Sequence, residues 1–235
     1  MARTIVVTQS NYLPWRGWFD MLRQADGLVL LDSVQFTRRD WRNRNRIKTA
    51  QGPIWLTVPV EAKGRYDQAV DETRISDYGW AEAHLRSIAL AYARAPHAPA
   101  VLPWLQEQLR AVAAEPLLTR VNETLIRALC LRLGLGLPIT RDGDLLPRAE
   151  LPGLDPSERL AALAAAMGAT RYVSGPAAQA YLDPAPFARR GIAVAWMDYS
   201  GYPEYPQLYG AFAPAVSVVD LLLNLGDDAP RYLGR

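Results

Sequence analysis

The sequence predicts an α/β protein built on a parallel sheet, and three observations predict it. Short apolar runs, such as Thr4–Val7, Gly27–Leu31 and Ile192–Met197, alternate with segments whose apolar residues recur at helical spacing. Several runs stop at polar side chains, at Thr8-Gln9-Ser10-Asn11-Tyr12, at Asp32, at Ser174 and at Asp198. Strand ends that run into polar groups are where open α/β sheets place their ligands. Between residues 78 and 136 the pattern is helical throughout, which predicts a helical insertion or layer within one domain spanning 1–235.

Taken in order, Thr4–Val7 reads as a buried strand. Trp15–Gln24 reads as a helix with Trp15, Trp18, Phe19 and Leu22 on one face. Gly27–Leu31 is a second strand and Ile54–Val60 a third, with Pro59 putting its end at a sheet edge or bulge. Asp77 can cap a helix from about Trp80 that places Leu85, Ile88, Ala89 and Tyr92 together, until Pro96 and Pro99 break it. A second helix carries Val101, Leu102, Leu105, Leu109 and Val112. A third starts near Thr119, buries Val121, Leu125, Ala128 and Leu129, and ends at Gly134. Leu137–Thr140 is a strand, and Arg141–Pro156, rich in Asp, Gly and Pro, reads as a long mobile loop. Then come a helix face of Leu160, Leu163, Ala164 and Met167, a strand Arg171–Val173, a short helix to Leu182 and another over Asp183–Arg190. The strand Ile192–Met197 and a final apolar helix, Val216–Leu225, complete the chain.

Composition narrows the function. With 235 residues, half of them hydrophobic, a filled core is expected and disorder is not. A net charge of +2 and no broad basic face speak against nucleic acid. A lone Cys130 excludes an intrachain disulfide and a thiolate-rich metal site, which suits a reducing, cytoplasmic setting; it sits among Leu125, Ile126, Leu129 and Leu131 as a buried apolar residue. No run approaches the ~20 apolar residues that span a bilayer. Neither a cofactor nor a metal is expected, and a homodimer is compatible with the chain.

Three polar sets are candidates for chemistry. The first is Gln9, Asn11 and Tyr12 with Asp32 and Gln35. The second is the run Arg42-Asn43-Arg44-Asn45-Arg46-Ile47-Lys48, whose guanidinium forks and amides suit phosphate or carboxylate oxygens, although such runs also protect strand edges. The third joins Ser174-Gly175-Pro176 to Asp198 and to the Tyr/Pro/Gly segment that contains Tyr205, Gln207 and Tyr209. Tyrosines there can grip a ligand or merely cover the sheet end. In a parallel sheet the three sets would converge on one rim. Arg44 and Lys48 are then expected to neutralise phosphate, Asn11, Gln35 and Asn45 to orient groups, and Asp32 or Asp198 to accept a proton. His84 is either a base within reach of substrate or a hydrogen-bonded core residue. Asp220, inside an apolar helix, needs partners, which an Arg or the Ser217 backbone could supply.

The blocks Gln9-Ser-Asn-Tyr-Leu-Pro-Trp15, Gly17-Trp-Phe-Asp20, Leu31-Asp-Ser-Val-Gln-Phe36, Trp41-Arg-Asn-Arg-Asn-Arg-Ile-Lys48, Trp55-Leu-Thr-Val-Pro59, Ser174-Gly-Pro176 and Tyr205-Pro-Gln-Leu-Tyr-Gly210 resemble the WbqC-like family in the same order along nearly the whole chain. The resemblance implies a bacterial protein whose relatives belong with surface-polysaccharide or natural-product genes. Together with the polar sets it leads to a transferase, moving an acyl or aminoacyl group to an amine from a carrier-thioester or nucleotide-linked donor. A non-catalytic protein that binds a sugar nucleotide or carrier protein is the alternative, as is a glycosyl or nucleotidyl transferase. Relatives carry His-Gln-Pro where this chain has Thr8-Gln9-Ser10, so catalysis here cannot depend on that histidine. In fold, the order strand, Trp15-Arg16-Gly17-Trp18 turn, helix and strand ending in Asp32 looks like the Rossmann-like core of the nucleotidylyltransferase superfamily. Both histidines of that superfamily's His-x-Gly-His are tryptophan here, which argues against its usual chemistry.

Overall fold

The computed structural model of the protein describes residues 2–234. In chain order the elements are β1 (Thr4–Thr8), α1 (Arg16–Arg23), β2 (Gly27–Leu30), β3 (Arg44–Thr49), β4 (Gly52–Thr57), α2 (Trp80–Tyr92), α3 (Ala98–Ala111) and α4 (Leu118–Arg132). They continue with β5 (Ile139–Arg141), α5 (Asp142–Leu145), α6 (Pro156–Ala166), β6 (Arg171–Ser174), α7 (Ala185–Ala188), β7 (Ala193–Trp196) and α8 (Val218–Leu225).

Five strands form one sheet in the order β5-β2-β1-β6-β7, and every neighbouring pair is parallel. The chain therefore walks outward from β1 through β2 to β5. It then returns past β1 and walks the other way through β6 to β7. The direction reverses between β1 and β6, and their carboxyl ends, Thr8 and Ser174, border that point.

Both faces of the sheet are buried, so the strands read as short apolar runs. Alternate residues divide between two cores, as a period of two requires. Val6, Leu28, Leu30 and Val173 face a large cluster that includes Phe19 and Leu22 of α1, helices α2 to α4, and α8. Ile5, Val7, Val29 and Tyr172 face a smaller one closed by Ala161, Leu163 and Ala164 of α6 and by Phe187. The helical middle of the chain is thus a layer on the sheet, sharing its larger core.

Three local expectations change. The Ile54–Val60 segment is a strand over Gly52–Thr57, but it pairs antiparallel with β3, and these two make a sheet of their own. The Arg/Asn run is therefore one arm of a hairpin, turned at Gly52 with φ +104°, where a glycine is tolerated. On α2, Ala89 is exposed; the buried face is Trp80, Ala81, His84, Ile88, Ala91 and Tyr92. The segment 141–156 is structured, holding α5 and a 3₁₀ turn at Leu151–Gly153. It is anchored by the buried Leu151 and by Asp142, whose carboxylate accepts from the Ser33 N–H at 3.0 Å and hydroxyl at 2.5 Å.

Asp220, fully buried on α8, finds its donors elsewhere than in an arginine. It accepts from the hydroxyls of Tyr92 (2.7 Å) and Tyr205 (2.8 Å), and from Gln207 Nε2 (2.8 Å). Lys48 joins the same cluster, donating through Nζ to Gln207 Oε1 (3.1 Å) and to the Ala211 carbonyl (2.7 Å). This network fastens the C-terminal Tyr/Pro segment to α8 and to the hairpin. Replacing Asp220 by Ala strands several buried donors, each costing about 1–3 kcal/mol. Asp220→Ala is expected to lower the unfolding free energy by roughly 3 kcal/mol or more, and Tyr205→Phe by about 1 kcal/mol. Urea unfolding at pH 7 checks both; equal midpoints for the two variants would contradict the network.

Candidate functional site

The loop from β1 to α1 carries the first polar set, and buried groups from five places hold it. The Ser10 N–H donates to Asp32 Oδ1 at 2.8 Å, and the Ser10 hydroxyl accepts from Asn122 Nδ2 at 3.1 Å. The Tyr12 N–H donates to the Trp41 carbonyl at 3.0 Å. Asn45 Nδ2 donates to the carbonyls of Tyr12 (3.2 Å) and Leu13 (2.8 Å). Those contacts brace Leu13 at φ +42°, a conformation that side-chain-bearing residues seldom adopt. Finally the Tyr12 hydroxyl meets His84 Nδ1 at 2.8 Å.

The chemistry of Asp32 and His84 follows from these partners. Asp32 is buried at the end of β2, and its other oxygen accepts from the Thr119 hydroxyl at 2.5 Å. Burial pushes its carboxyl up to about 6, against the pull of the donors from Thr119 and Ser10. His84 Nε2 lies 3.2 Å from the Thr57 carbonyl, which can only accept, so that nitrogen carries the proton and Tyr12 donates to Nδ1. Burial pushes His84 down to about 4, which keeps the ring neutral at physiological pH. Both groups position the loop, and neither lines a cavity described below.

A cavity of about 300 Å³ opens where the strand order reverses. Its walls include Thr8, Gln9, Arg42, Arg159, Ser174 and Tyr181 over a floor of Val7, Leu31 and Tyr172. Two guanidiniums and no carboxylate line it. Arg42 donates to Asn11 Oδ1 and lies 3.6 Å from Asp40; Arg159 donates to the Leu154 carbonyl at 3.3 Å. The Nε of each is buried without a partner. Two guanidiniums at a carboxylate-free cavity suit an anion, a phosphate or a carboxylate.

A second cavity, about 310 Å³, has Asn11, the hydrogen-bond partner of Arg42, in its wall. Asn11, Pro14, Trp15, Trp41, Asn45 and Ala215 line it. The Trp15 ring folds back over α1, so that a Cβ on Gly17 would lie 2.4 Å from its ring atoms. Tyr199 packs edge-on against Trp15, with centroids 5.0 Å apart, and Tyr202 stacks at 6.3 Å.

The structure thus gathers Gln9, Arg42 and Ser174, with Gly175 next along the chain, at the reversal point. It puts Asn11 and Asn45 at the neighbouring slot. The remaining candidates lie elsewhere, because strand alternation splits the basic run between two faces. Asn43 is buried and donates to the Val58 carbonyl at 2.9 Å. Arg44 sits outside the hairpin, its guanidinium 4.0 Å from the Trp55 ring centroid. Lys48, Tyr205 and Gln207 belong to the Asp220 network, and the Tyr209 hydroxyl donates to the Ala91 carbonyl at 2.5 Å. Gln35 reaches the Tyr66 carbonyl at 2.8 Å. Asp198 follows β7 and lines a different recess with Asp20, Arg23 and Tyr202. The three sets therefore do not share one rim; Tyr199 and Tyr202 of the tyrosine segment touch the slot's Trp15 wall without lining the slot.

Sequence reasoning missed Arg159, Tyr181, Thr119 and Asn122, and did not see Trp15 and Trp41 as cavity walls. Asn122 carried a signal, a polar residue beside Val121 and Leu125 on the buried side of α4. Arg159 carried a fainter one, in the first turn of a helix whose cap, Asp155, accepts from the Ser157 and Glu158 N–H groups. Among the described residues no cluster of His, Cys, Asp and Glu is arranged to hold a metal, and no helix is long and apolar enough to cross a membrane.

The model of the WbqC-like protein family matches residues 9–232. An uncharacterized protein of Mycobacterium tuberculosis is 43% identical over 231 residues, covering 98% of this chain and 97% of that protein. No solved structure matches the chain.

The Asp32 clamp has a pH signature. A carboxyl raised to about 6 in the fold contributes stability that is complete below its unfolded pKa, near 4, and is lost as pH rises through about 6. Asn at this position keeps an acceptor for the Ser10 N–H and removes the buried charge. The stability difference between Asp32→Asn and the parent is expected to shift in favour of the variant from pH 4 to pH 7. Thermal unfolding at both pH values measures it, and a constant difference would contradict the assignment.

Proposed function

Because the chain belongs to the WbqC-like protein family, we propose that it is a bacterial transferase of surface-polysaccharide or natural-product assembly that binds the phosphate of an acyl or aminoacyl donor. The observation that carries the reading is the cavity where the strand order reverses, with Arg42 and Arg159 and no carboxylate on its walls. Ligands of open parallel sheets bind outside the carboxyl ends of the strands at such a reversal. We read the order of the five parallel strands as that of doubly wound, Rossmann-like nucleotide-binding sheets.

The donor is a nucleotide-linked or carrier-linked acyl group and the acceptor an amine. The amine nitrogen attacks the acyl carbonyl, and the sulfur or phosphate oxygen of the donor departs with the bonding pair. The proton shed by nitrogen leaves with that group or enters solvent. Such a step asks chiefly for positioning and charge neutralisation. That suits a cavity whose walls hold guanidiniums, amides and hydroxyls, with Asp32 and His84 behind them and Asp198 apart. The same lack of a base at the cavity favours one second reading, a protein that binds a sugar nucleotide or a carrier protein for another enzyme.

Arg159→Gln separates an anion site from a solvated arginine. Its one intramolecular bond is to a carbonyl, so the fold should tolerate the change. Calorimetry against nucleotides, coenzyme A thioesters and sugar nucleotides is expected to show the bound class weakened at least tenfold, about the worth of one charge-assisted hydrogen bond. Unchanged affinity would remove Arg159 from the site. Turnover of donor and amine by the purified protein decides for the transferase, and binding without turnover for the second reading.

A further inference from the structure

The outward face of the β3–β4 hairpin combines exposed indoles with arginines that no acid answers. Trp55 of β4 is 43% exposed and Trp41, just before β3, is 39% exposed. Their ring centroids lie 5.4 Å apart. Cross-strand register sets Trp55 opposite Arg46, and alternation sends Arg44 to the same face. The guanidiniums of Arg44 and Arg46 lie 4.0 Å and 5.4 Å from the Trp55 ring centroid. Among the described residues no carboxylate pairs with either arginine. Asp40, close by in sequence, accepts from the Thr37 hydroxyl at 2.6 Å and the Trp41 N–H at 2.7 Å, and lies 3.6 Å from Arg42. Exposed arginines elsewhere are answered: Arg65, Arg110, Arg189 and Arg231 each have a carboxylate within 3.0 Å. Charge alone can keep an edge strand from pairing with another, but that task needs no indole. Exposed Trp set beside Arg is the composition of interface centres.

Three occupants fit this face poorly. Nucleic-acid bases stack on open aromatic faces, and Arg44 already covers that of Trp55. A lipid surface takes side chains that project into it, whereas each indole is more than half covered by its own protein. A second copy meeting the face about a two-fold axis would set arginine against arginine. A carboxylate fits well. A guanidinium held against a ring keeps its N–H edge for planar, bidentate pairing. Arg44 spends one nitrogen on the Arg39 carbonyl, which leaves the rest of its fork open.

We propose that the Trp41–Trp55 face of the hairpin docks an acidic segment of a partner protein. Carboxylates of that segment pair with Arg44 and Arg46, and one of its apolar side chains packs on the indoles. The docking surface and the anion cavity are independent, and neither stands or falls with the other.

The test uses defined probes: a labelled peptide of repeated Glu-Glu-Leu, its Gln-Gln-Leu counterpart, oligothymidine, and phosphatidylglycerol vesicles. Fluorescence anisotropy follows the first three and co-sedimentation the vesicles, with thermal melting to show that each variant is folded. The acidic peptide is expected to bind roughly tenfold more tightly than its glutamine counterpart, the worth of one charge-assisted hydrogen bond. Arg44→Gln combined with Arg46→Gln should remove that difference. Arg189→Gln combined with Arg190→Gln takes the same charge from the opposite face of the central sheet, where Phe187 packs in the smaller core, and should preserve it. Trp55→Ala should weaken the acidic peptide severalfold. Equal losses in the two double variants mean general electrostatics and overturn the proposal, as does equal binding of the two peptides or binding of neither. Oligothymidine or vesicles held more tightly than the acidic peptide through Arg44 and Arg46 overturn it in favour of nucleic acid or membrane. A dimer in sedimentation that the Arg44 and Arg46 double variant splits overturns it in favour of a second copy. An acidic peptide indifferent to Trp55→Ala overturns the part assigned to the indoles.

Discussion

The site depends on one buried hydrogen bond, from the Ser10 N–H to the carboxylate of Asp32. It fixes where the chain leaves the central strand, and every wall residue of the two cavities between Thr8 and Trp15 is placed by that exit. A carboxylate without water is costly to keep, and the raised pKa of Asp32 records the cost. What it secures is geometric. Thr119 and Asn122 of α4 meet Asp32 and Ser10, so the helical layer and the sheet hold the loop between them. Proline at position 10, which relatives are expected to carry, has no N–H to give. Serine also supplies the hydroxyl that Asn122 uses.

The hairpin divides the labour of the basic run. Alternation sends Asn45 and Ile47 inward and Arg44 and Arg46 outward, where both guanidiniums lie over Trp55. Arg42 precedes the strand, escapes its alternation and reaches the cavity at the strand reversal. A run that looks like one cationic patch therefore supplies one guanidinium to the cavity, one amide to the loop and one ammonium to the Asp220 network. The second guanidinium of the cavity, Arg159, comes from α6, on the far face of the sheet from the helical layer. Bringing the two together is the work of the strand reversal between β1 and β6.

Much of the fold was legible because it is local. The apolar runs and helical spacings located all five parallel strands and the main helices within a few residues. The hairpin was half seen, since the Arg/Asn run has none of the apolar alternation that marks a strand. The cavity linings were legible where polar residues directly follow a strand, as at Gln9, Asn11 and Ser174. They were illegible where a side chain arrives from another layer. Arg159 and Tyr181 reach the cavity through α6 and the turn after β6; the capped first turn of α6 hints at Arg159, and nothing near Tyr181 says so. Asp32 and His84 show the opposite error. Each was visible as a titratable group near a strand end or an apolar face, but only the partners Ser10, Thr119, Tyr12 and Thr57 reveal that their proton-binding atoms face protein.

The two tryptophans in the turn after β1 bear on what such a loop can do. A histidine at the start of this turn would place a titratable donor after β1. Trp15 offers no cation, and its ring lies over Gly17 as a wall. Trp18 turns into the larger core. The cationic groups at the cavity of the strand reversal come from outside the turn, and they are Arg42 and Arg159. Guanidiniums remain charged at any physiological pH and shuttle no protons, whereas a histidine gains and loses its charge in that range and can shuttle one. An indole in this turn therefore moves no proton, and what it contributes is an apolar wall to the cavity lined by Trp15 and Trp41.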